Sequence, residues 1–149
     1  MFKKILVGYD GSKGGKAALA CAATLAGKFG SQLTALWVRE PLPRHSDLPG
    51  ESEGEAEAAD DYFKERQKEV AAVATQQGLS IACETRHGHA AKNILQQAKD
   101  GGYDLIVVGH SDHSELWGRL LGDTADRITD HAQCSVLVVK TEASSSPRS

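Results

Sequence analysis

Residues 104–124 combine three features that together can bind an anion. The segment opens with the apolar run LIVV, which predicts a strand buried on both faces. Gly109 ends that run, a polar loop follows, and Gly122 closes the loop directly before Asp123 and Thr124. The apolar spacing that comes next predicts a helix. Free backbone N–H groups at a helix start can bind phosphate where glycine permits close approach.

The same loop carries side chains that transition metals bind. His110, Asp112 and His113 lie close together in sequence, and imidazole with carboxylate suits several first-row metals. Polar loop residues more often simply face water. We therefore expect no metal site here, and these three residues remain the alternative.

A second strand end is predicted near the N-terminus. Residues 3–9 form a short strand with an apolar centre, and Gly8, Tyr9 and Asp10 stand where it ends. A helix over residues 16–29, with Phe29 on its apolar face, and a strand over 32–38 follow. A strand, a helix and a strand of these lengths predict a parallel pair with a right-handed crossover.

The remaining elements alternate in the same way. The apolar spacing predicts helices over 56–77, 90–99 and 125–131, and strands over 79–86, 105–108 and 135–139. Five strands separated by four helices predict an open parallel α/β sheet with helices on both faces. In the strand order 3-2-1-4-5, ligands bind where the order reverses, between strands one and four. This order places Asp10 beside the loop after Gly109.

Bulk composition excludes several classes of protein. The 149 residues suit one domain over 1–140, and residues 141–149, which have almost no apolar content, predict a disordered tail. A formal charge of −3 argues against a nucleic-acid partner. Since no apolar run approaches the ~18 residues of a membrane span, we expect a cytoplasmic protein. Cys21, Cys83 and Cys134 fall in apolar patterns and predict small buried side chains without disulfides or zinc.

Three stretches together resemble the universal stress proteins. They are KKILVGYDGS at residues 3–12, DLIVVGH at 104–110, and GDTADRI with AQCSVLVVK between 122 and 140. The resemblance covers nearly the whole chain and implies a Rossmann-like fold of the adenine nucleotide alpha hydrolase-like type. It further implies a dimer that is induced under stress. One branch of that family binds ATP through a glycine, two residues, a glycine, nine residues, then glycine with serine or threonine.

This chain keeps the spacing of that ATP motif and changes two of its residues. Asp112 replaces the second glycine, Asp123 stands where serine or threonine is expected, and Thr124 comes one position late. Carried over residue by residue, the resemblance assigns base, ribose or phosphate contacts to Gly8, Tyr9, Asp10, Val38, Gly109, His110, Asp112, Gly122, Asp123 and Thr124.

Asp123 decides how well such a motif accepts phosphates. Like charges about 4 Å apart cost roughly 1–4 kcal/mol at effective dielectric constants of 80 to 20, whereas a helix dipole returns only about 0.3–1 kcal/mol. An Asp123 carboxylate facing a triphosphate therefore repels it. Either Mg²⁺ bridges the carboxylate and the phosphates, or Asp123 caps its own helix. We expect weakened nucleotide affinity or a preference for fewer phosphates.

The sequence thus predicts a regulatory protein that binds ATP, ADP or AMP. An interaction module that works without nucleotide, through the acidic residues 47–61, and a slow ATPase are the alternatives. Homodimerisation through residues 135–139 is expected because an unpaired apolar edge strand invites a partner strand. Trp37, near the predicted base pocket, and Trp117, in the loop, are interpreted as packing residues.

Overall fold

The computed structural model describes residues 1–40, 53–110 and 123–141. Strands and helices alternate along these residues as the hydrophobic pattern predicts. The elements are β1 (Lys4–Gly8), α1 (Lys13–Phe29), β2 (Gln32–Arg39), α2 (Glu53–Gln77), β3 (Ile81–His87), α3 (Ala90–Gly101), β4 (Leu105–Gly109), α4 (Asp123–His131) and β5 (Ser135–Val139).

The five strands form one parallel sheet in the order β3-β2-β1-β4-β5. This confirms the predicted fold class and strand order. β1 lies at the centre, where Val7 is opposite Ala35 of β2 on one side and Val107 of β4 on the other. The strand order reverses between β1 and β4, so their carboxyl ends form the crevice in which such folds bind ligands.

The core consists of two layers, one on each face of the sheet. Ile5 and Val7 of β1 pack with α1 and α2, whereas Leu6 between them packs with α3 and α4. All three side chains are completely buried. Because successive side chains of a strand point to opposite faces, a strand covered on both sides must be apolar at every position.

The helix boundaries differ from the prediction for a local reason. α1 begins three residues earlier than expected because the Ser12 hydroxyl accepts a hydrogen bond from the Gly15 amide at 3.1 Å and caps the helix. The prediction that Phe29 faces the core was wrong, since its side chain is 43% exposed. It is the last residue of α1, where the chain turns at Gly30, and it packs edge-on against Phe2.

The predictions for the cysteines need a correction, and several other predictions concern residues that the structure does not describe. The three cysteines are free and half-buried, so they are less enclosed than predicted. Residues 47–52 of the acidic segment, Trp117 and the predicted tail after Thr141 lie outside the described residues. Of the helices in the described ranges, none has the length and apolar character needed to cross a bilayer.

Asp104 ties the start of β4 to the start of β1. Its carboxylate accepts hydrogen bonds from the backbone amides of Lys3, at 2.9 and 3.2 Å, and Lys4, at 3.1 Å. These donors, the Lys3 amide first, lower the pKa of the Asp104 carboxyl group. A lowered native pKa means that this carboxylate stabilises the fold above its unfolded pKa of about 3.9 and ceases to do so as the pH falls through its native pKa.

We predict that Asp104→Asn lowers the free energy of unfolding by about 1 kcal/mol near neutral pH, because the amide lacks the charge that strengthens these hydrogen bonds. Urea unfolding measured from about pH 7 to about pH 2 should show the difference from the unmutated protein shrinking below about pH 4, as the carboxylate becomes protonated. Asp130→Asn, at an exposed position of α4, is the control and should change little at any pH. A difference that persists at the acid end would contradict the assignment.

Candidate functional site

A cavity of about 370 Å³ opens at the carboxyl ends of the central strands. It lies where the strand order reverses, as the fold predicts. The described residues that line it come from the ends of β1, β2 and β4 and the starts of α1, α3 and α4: Gly8, Tyr9, Asp10, Ser12, Gly14, Gly15, Leu36, Trp37, Val38, Glu40, Ala90, Ile94, Val108, Gly109 and Thr124.

Gly14 and Gly109 let α1 and β4 approach backbone to backbone at the base of this cavity. A Cβ atom added at Gly109 would meet the Gly14 oxygen at 2.1 Å, and one added at Gly14 would meet the His110 oxygen at 2.6 Å. Neither position therefore has room for a side chain. The sequence assigned Gly109 to ligand binding, but packing alone already requires glycine there.

The walls on the α3 side of the sheet are apolar. Val38, Ile94 and Val108 all belong to the core layer that contains α3 and α4, and each also lines the cavity. A Cβ atom at Gly8 would meet Ile94 at 3.3 Å and Val108 at 3.5 Å. Ile94 and Val108 thus pack closely on Gly8, and with Val38 they line an apolar recess at the end of β1.

Asp10 supplies a carboxylate at the edge of that recess. It is exposed, and its Oδ1 atom accepts a hydrogen bond from the Ser12 amide at 2.9 Å. An ionised carboxylate offers about four acceptor positions, so this turn leaves acceptor capacity toward the cavity. The Ser12 hydroxyl is occupied by the cap of α1.

The Tyr9 side chain turns away from the recess toward α2. It is only 3% exposed, and its hydroxyl donates to the Glu69 carboxylate at 2.6 Å. Burial and this bond raise the pKa of the Tyr9 phenol, and the same bond lowers the pKa of the Glu69 carboxyl group. The phenol therefore ties β1 to α2, and Tyr9 offers the cavity little beyond its backbone.

Aromatic residues of α2 pack on the carboxyl end of β2, against Trp37, which lies on the sheet face opposite Val38. The Trp37 ring centroid lies 4.9 Å from that of Tyr62 and 6.1 Å from that of Phe63. The Tyr62 hydroxyl donates to the backbone oxygen of Asp10, and the Arg66 guanidinium lies over the Tyr62 ring at 4.1 Å. Trp37 packs as the sequence suggested and also lines the cavity.

Glu40 adds a second carboxylate. It accepts a hydrogen bond from the Ala90 amide, the first residue of α3, at 3.1 Å. The helix start that faces the cavity is thus already bonded to an acidic side chain of the chain itself. Sequence reasoning missed Glu40, although it follows β2 directly, just as Asp10 follows β1 shortly after Gly8.

The other predicted site residues divide into three groups. Thr124 lines the cavity from the first turn of α4. His110 is not among the described lining residues; its amide donates to the Val139 oxygen at 2.8 Å and ties β4 to β5. Asp112, His113 and Gly122 lie outside the described residues, and Asp123 is described only as the first residue of α4.

Metal binding finds no support in the part of the chain that the structure describes. Within those residues, no group of three or more histidine, cysteine, aspartate or glutamate side chains is arranged to hold a metal ion. The alternative built on His110 depends on Asp112 and His113, which that part does not include.

Comparison with known proteins assigns the family. The model of the "Universal stress protein family" matches residues 1–140. The chain belongs to the universal stress protein family. A universal stress protein of Methanocaldococcus jannaschii is 33% identical over 142 residues, which cover 94% of this chain and 83% of that protein.

Solved universal stress proteins share this fold. UspA from Lactobacillus plantarum superimposes with a TM-score of 0.71 at 30% identity, over 92% of this chain and 97% of that one. A universal stress protein in complex with cAMP superimposes with a TM-score of 0.68 at 23% identity, over 93% of this chain and 96% of that one. A family member from Arabidopsis thaliana with AMP bound gives 0.67 at 17% identity, over 97% and 95%. The last two likenesses establish the fold alone.

We predict that Gly109→Ala lowers the free energy of unfolding by about 2–3 kcal/mol, because the added methyl group overlaps the Gly14 backbone. Gly27→Ala is the matched control. Its Cβ would meet only Leu79, at 3.8 Å, and alanine is the better helix former by up to about 1 kcal/mol. Chemical denaturation of both variants checks the pair. If Gly109→Ala were as stable as the unmutated protein, the close contact would not be a packing constraint.

Proposed function

We propose that this universal stress protein is a cytoplasmic regulatory protein that binds an adenine nucleotide in the cavity at the ends of β1, β2 and β4. The observation that carries the proposal is the shape and chemistry of that cavity. Its volume of about 370 Å³ falls in the range of small-molecule sites, roughly 300–1,000 Å³. It combines an apolar recess with two exposed carboxylates, Asp10 at the recess edge and Glu40 beside the start of α3.

The recess suits a nucleoside. Val38, Ile94 and Val108 line the cavity and offer apolar surface to a purine ring. Asp10, at the edge of the recess, can accept hydrogen bonds from the ribose hydroxyl groups. In this arrangement the base and the sugar supply most of the binding energy.

The polyphosphate end of a nucleotide is less well served. The described lining residues include two carboxylates, Asp10 and Glu40, and neither lysine nor arginine. Glu40 also bonds to the α3 start, which could otherwise have attracted a phosphate. Asp123, where the family's ATP motif has serine or threonine, would add a third negative charge. We therefore propose that nucleotides with one phosphate, such as AMP or cAMP, bind better than ATP.

Magnesium would change that balance. Carboxylate and phosphate oxygens are ligands that Mg²⁺ prefers, and the acidic lining fits a cation better than a bare triphosphate. A bound Mg²⁺ would reduce the repulsion between ATP and the acidic residues. The difference in affinity between AMP and ATP should then be smaller when Mg²⁺ is present.

Two neighbours with the same fold support this assignment. One was solved in complex with cAMP and the other with AMP bound. Both are adenine nucleotides with a single phosphate group, which is the class that the acidic lining favours here.

We predict that AMP and cAMP bind more tightly than ATP in the absence of Mg²⁺. We also predict that Mg²⁺ increases the affinity for ATP more than the affinity for AMP. Calorimetric titration of each nucleotide with and without Mg²⁺ measures this. Tight Mg²⁺-free binding of ATP would show that the acidic lining does not repel phosphates. Failure of every nucleotide to bind at about 1 mM, weaker than about −4 kcal/mol, would favour a nucleotide-independent interaction module.

Three variants separate the contributions to this binding. Asp10→Asn keeps the oxygen that bonds the Ser12 amide but removes the charge, and should weaken AMP binding about tenfold or more. Asp123→Ser should tighten Mg²⁺-free ATP binding about fivefold or more and leave AMP nearly unchanged. Asp126→Asn, at an exposed position of α4, is the control for loss of one negative charge.

We also propose that two copies pair through β5. This strand ends the sheet, is bonded to β4 on one side, and is apolar from Val136 to Val139, with these side chains half-buried. Free main-chain groups beside apolar side chains favour addition of a second strand.

Sedimentation of the purified protein should show a dimer, and Val138→Lys should shift it to the monomer, because a charge on an edge strand opposes pairing. Ala82→Lys is the control on the opposite edge of the sheet, where β3 is more exposed. A dimer that survives Val138→Lys with unchanged affinity would place the interface elsewhere.

A further inference from the structure

A groove larger than the strand-end cavity runs between α3 and α4. Its volume is about 580 Å³. Leu95 and Ala132 contribute apolar surface to it, above the fully buried Ile106. Lys92, Lys99 and Arg127 lie along it with exposed side chains. We call it the α3–α4 groove.

The charged side chains that line the α3–α4 groove have one sign. Lys92, Lys99 and Arg127 are cationic, and no aspartate or glutamate is among its described lining residues. The chain as a whole has 20 acidic and 17 basic residues. The excess of positive charge is therefore a property of this groove and not of the composition.

The fold accounts for only part of this charge. Lys99 lies in the last turn of α3, where a cation faces the negative end of the helix dipole. Lys92 lies in the first turn, where the dipole opposes a cation, and Arg127 lies in the middle of α4. Within the described residues, these three side chains form no hydrogen bond or ion pair, so their charges are available to an external ligand.

Acidic groups on the same two helices leave that charge uncompensated. Asp100 of α3 accepts a hydrogen bond from the Gln96 side chain at 2.8 Å and is not part of the groove lining. Asp126 and Asp130 of α4 are exposed and also outside the lining. The apolar surface of the groove therefore meets a positive rim.

We propose that the α3–α4 groove binds a small amphipathic anion with one carboxylate or phosphate head group and an apolar chain. The head group would pair with Lys92 and Arg127, and the chain would lie on Leu95 and Ala132. A volume within the roughly 300–1,000 Å³ of small-molecule sites favours a ligand free in solution over a membrane surface or a partner protein.

This site is separate from the proposed nucleotide site. Ala90 and Ile94 line the strand-end cavity, whereas Lys92 and Leu95 line the groove, so α3 stands between the two. The groove proposal does not depend on nucleotide binding, and it can hold or fail whether or not AMP binds.

Calorimetric titration of the full chain with laurate, kept below its micelle concentration, tests the proposal. We expect one molecule to bind per chain with a micromolar Kd, with or without AMP. Dodecylamine and dodecanol should bind at least about tenfold more weakly, because each lacks the negative head group. Amide chemical shifts should change along α3 and α4 and remain constant at Gly8 and Gly109.

Charge reversal identifies the residues. Lys92→Glu combined with Arg127→Glu should weaken laurate binding at least about tenfold. Lys64→Glu, at an exposed position of α2 outside the groove, should leave it unchanged. Circular dichroism confirms that the variants fold, and Leu95→Asp tests the apolar surface without changing the cations.

Four outcomes would overturn the proposal. They are no saturable binding of laurate, equal binding of dodecylamine, an affinity that the charge reversals and Leu95→Asp leave unchanged, and binding only to vesicles of anionic phospholipid. A dimer that the Lys92 and Arg127 reversals dissociate, in a protein that does not bind laurate, would assign the groove to a second copy of this chain.

Discussion

The backbone contact between Gly14 and Gly109 determines where the candidate site can lie. It brings the first turn of α1 against the end of β4 with no side chain between them. The end of β1, which α1 follows, is thereby held beside the end of β4. A larger residue at either position would force the helix outward and widen or close the crevice. The site thus depends on a steric constraint before any chemistry with a ligand is considered.

The two faces of the sheet hold this crevice in different ways. On the α2 side, the Tyr9 hydroxyl bonds to Glu69 and the Tyr62 hydroxyl bonds to the Asp10 backbone, so polar contacts fix α2 to the end of β1. On the α3 side, the described contacts at the recess are apolar, from Ile94 and Val108. Hydrogen bonds hold the wall on the α2 side, and apolar packing holds the wall on the α3 side. The cavity therefore has its apolar surface on the α3 side of the sheet.

The fold was largely predictable because burial on both faces leaves a plain pattern in sequence. Leu6 and its neighbours form an unbroken apolar run, and the alternation of strands and helices predicts a parallel sheet. Alternation alone does not select the order 3-2-1-4-5, because other orders fit the same succession of elements. Phe29 shows a limit of this pattern. Helical spacing predicted a buried side chain, but spacing does not show where the last turn of a helix moves away from the sheet. At the site, Asp10 was predicted from its place after a strand. Glu40 was missed because its bond to Ala90 depends on the pairing of β2 with β3, which brings the end of β2 to the start of α3.

Charge divides the molecule along α3 in a way that the net value of −3 conceals. The cavity on one side of this helix has Asp10 and Glu40 and no described cation, whereas the α3–α4 groove has cations and no described acid. The helix dipole does not produce this division, because Glu40 meets the α3 start favourably while Lys92 in the same turn is opposed. The difference therefore resides in the side chains that each face presents. The nucleotide proposed for the cavity and the amphipathic anion proposed for the groove would therefore depend on different groups, although both are anions.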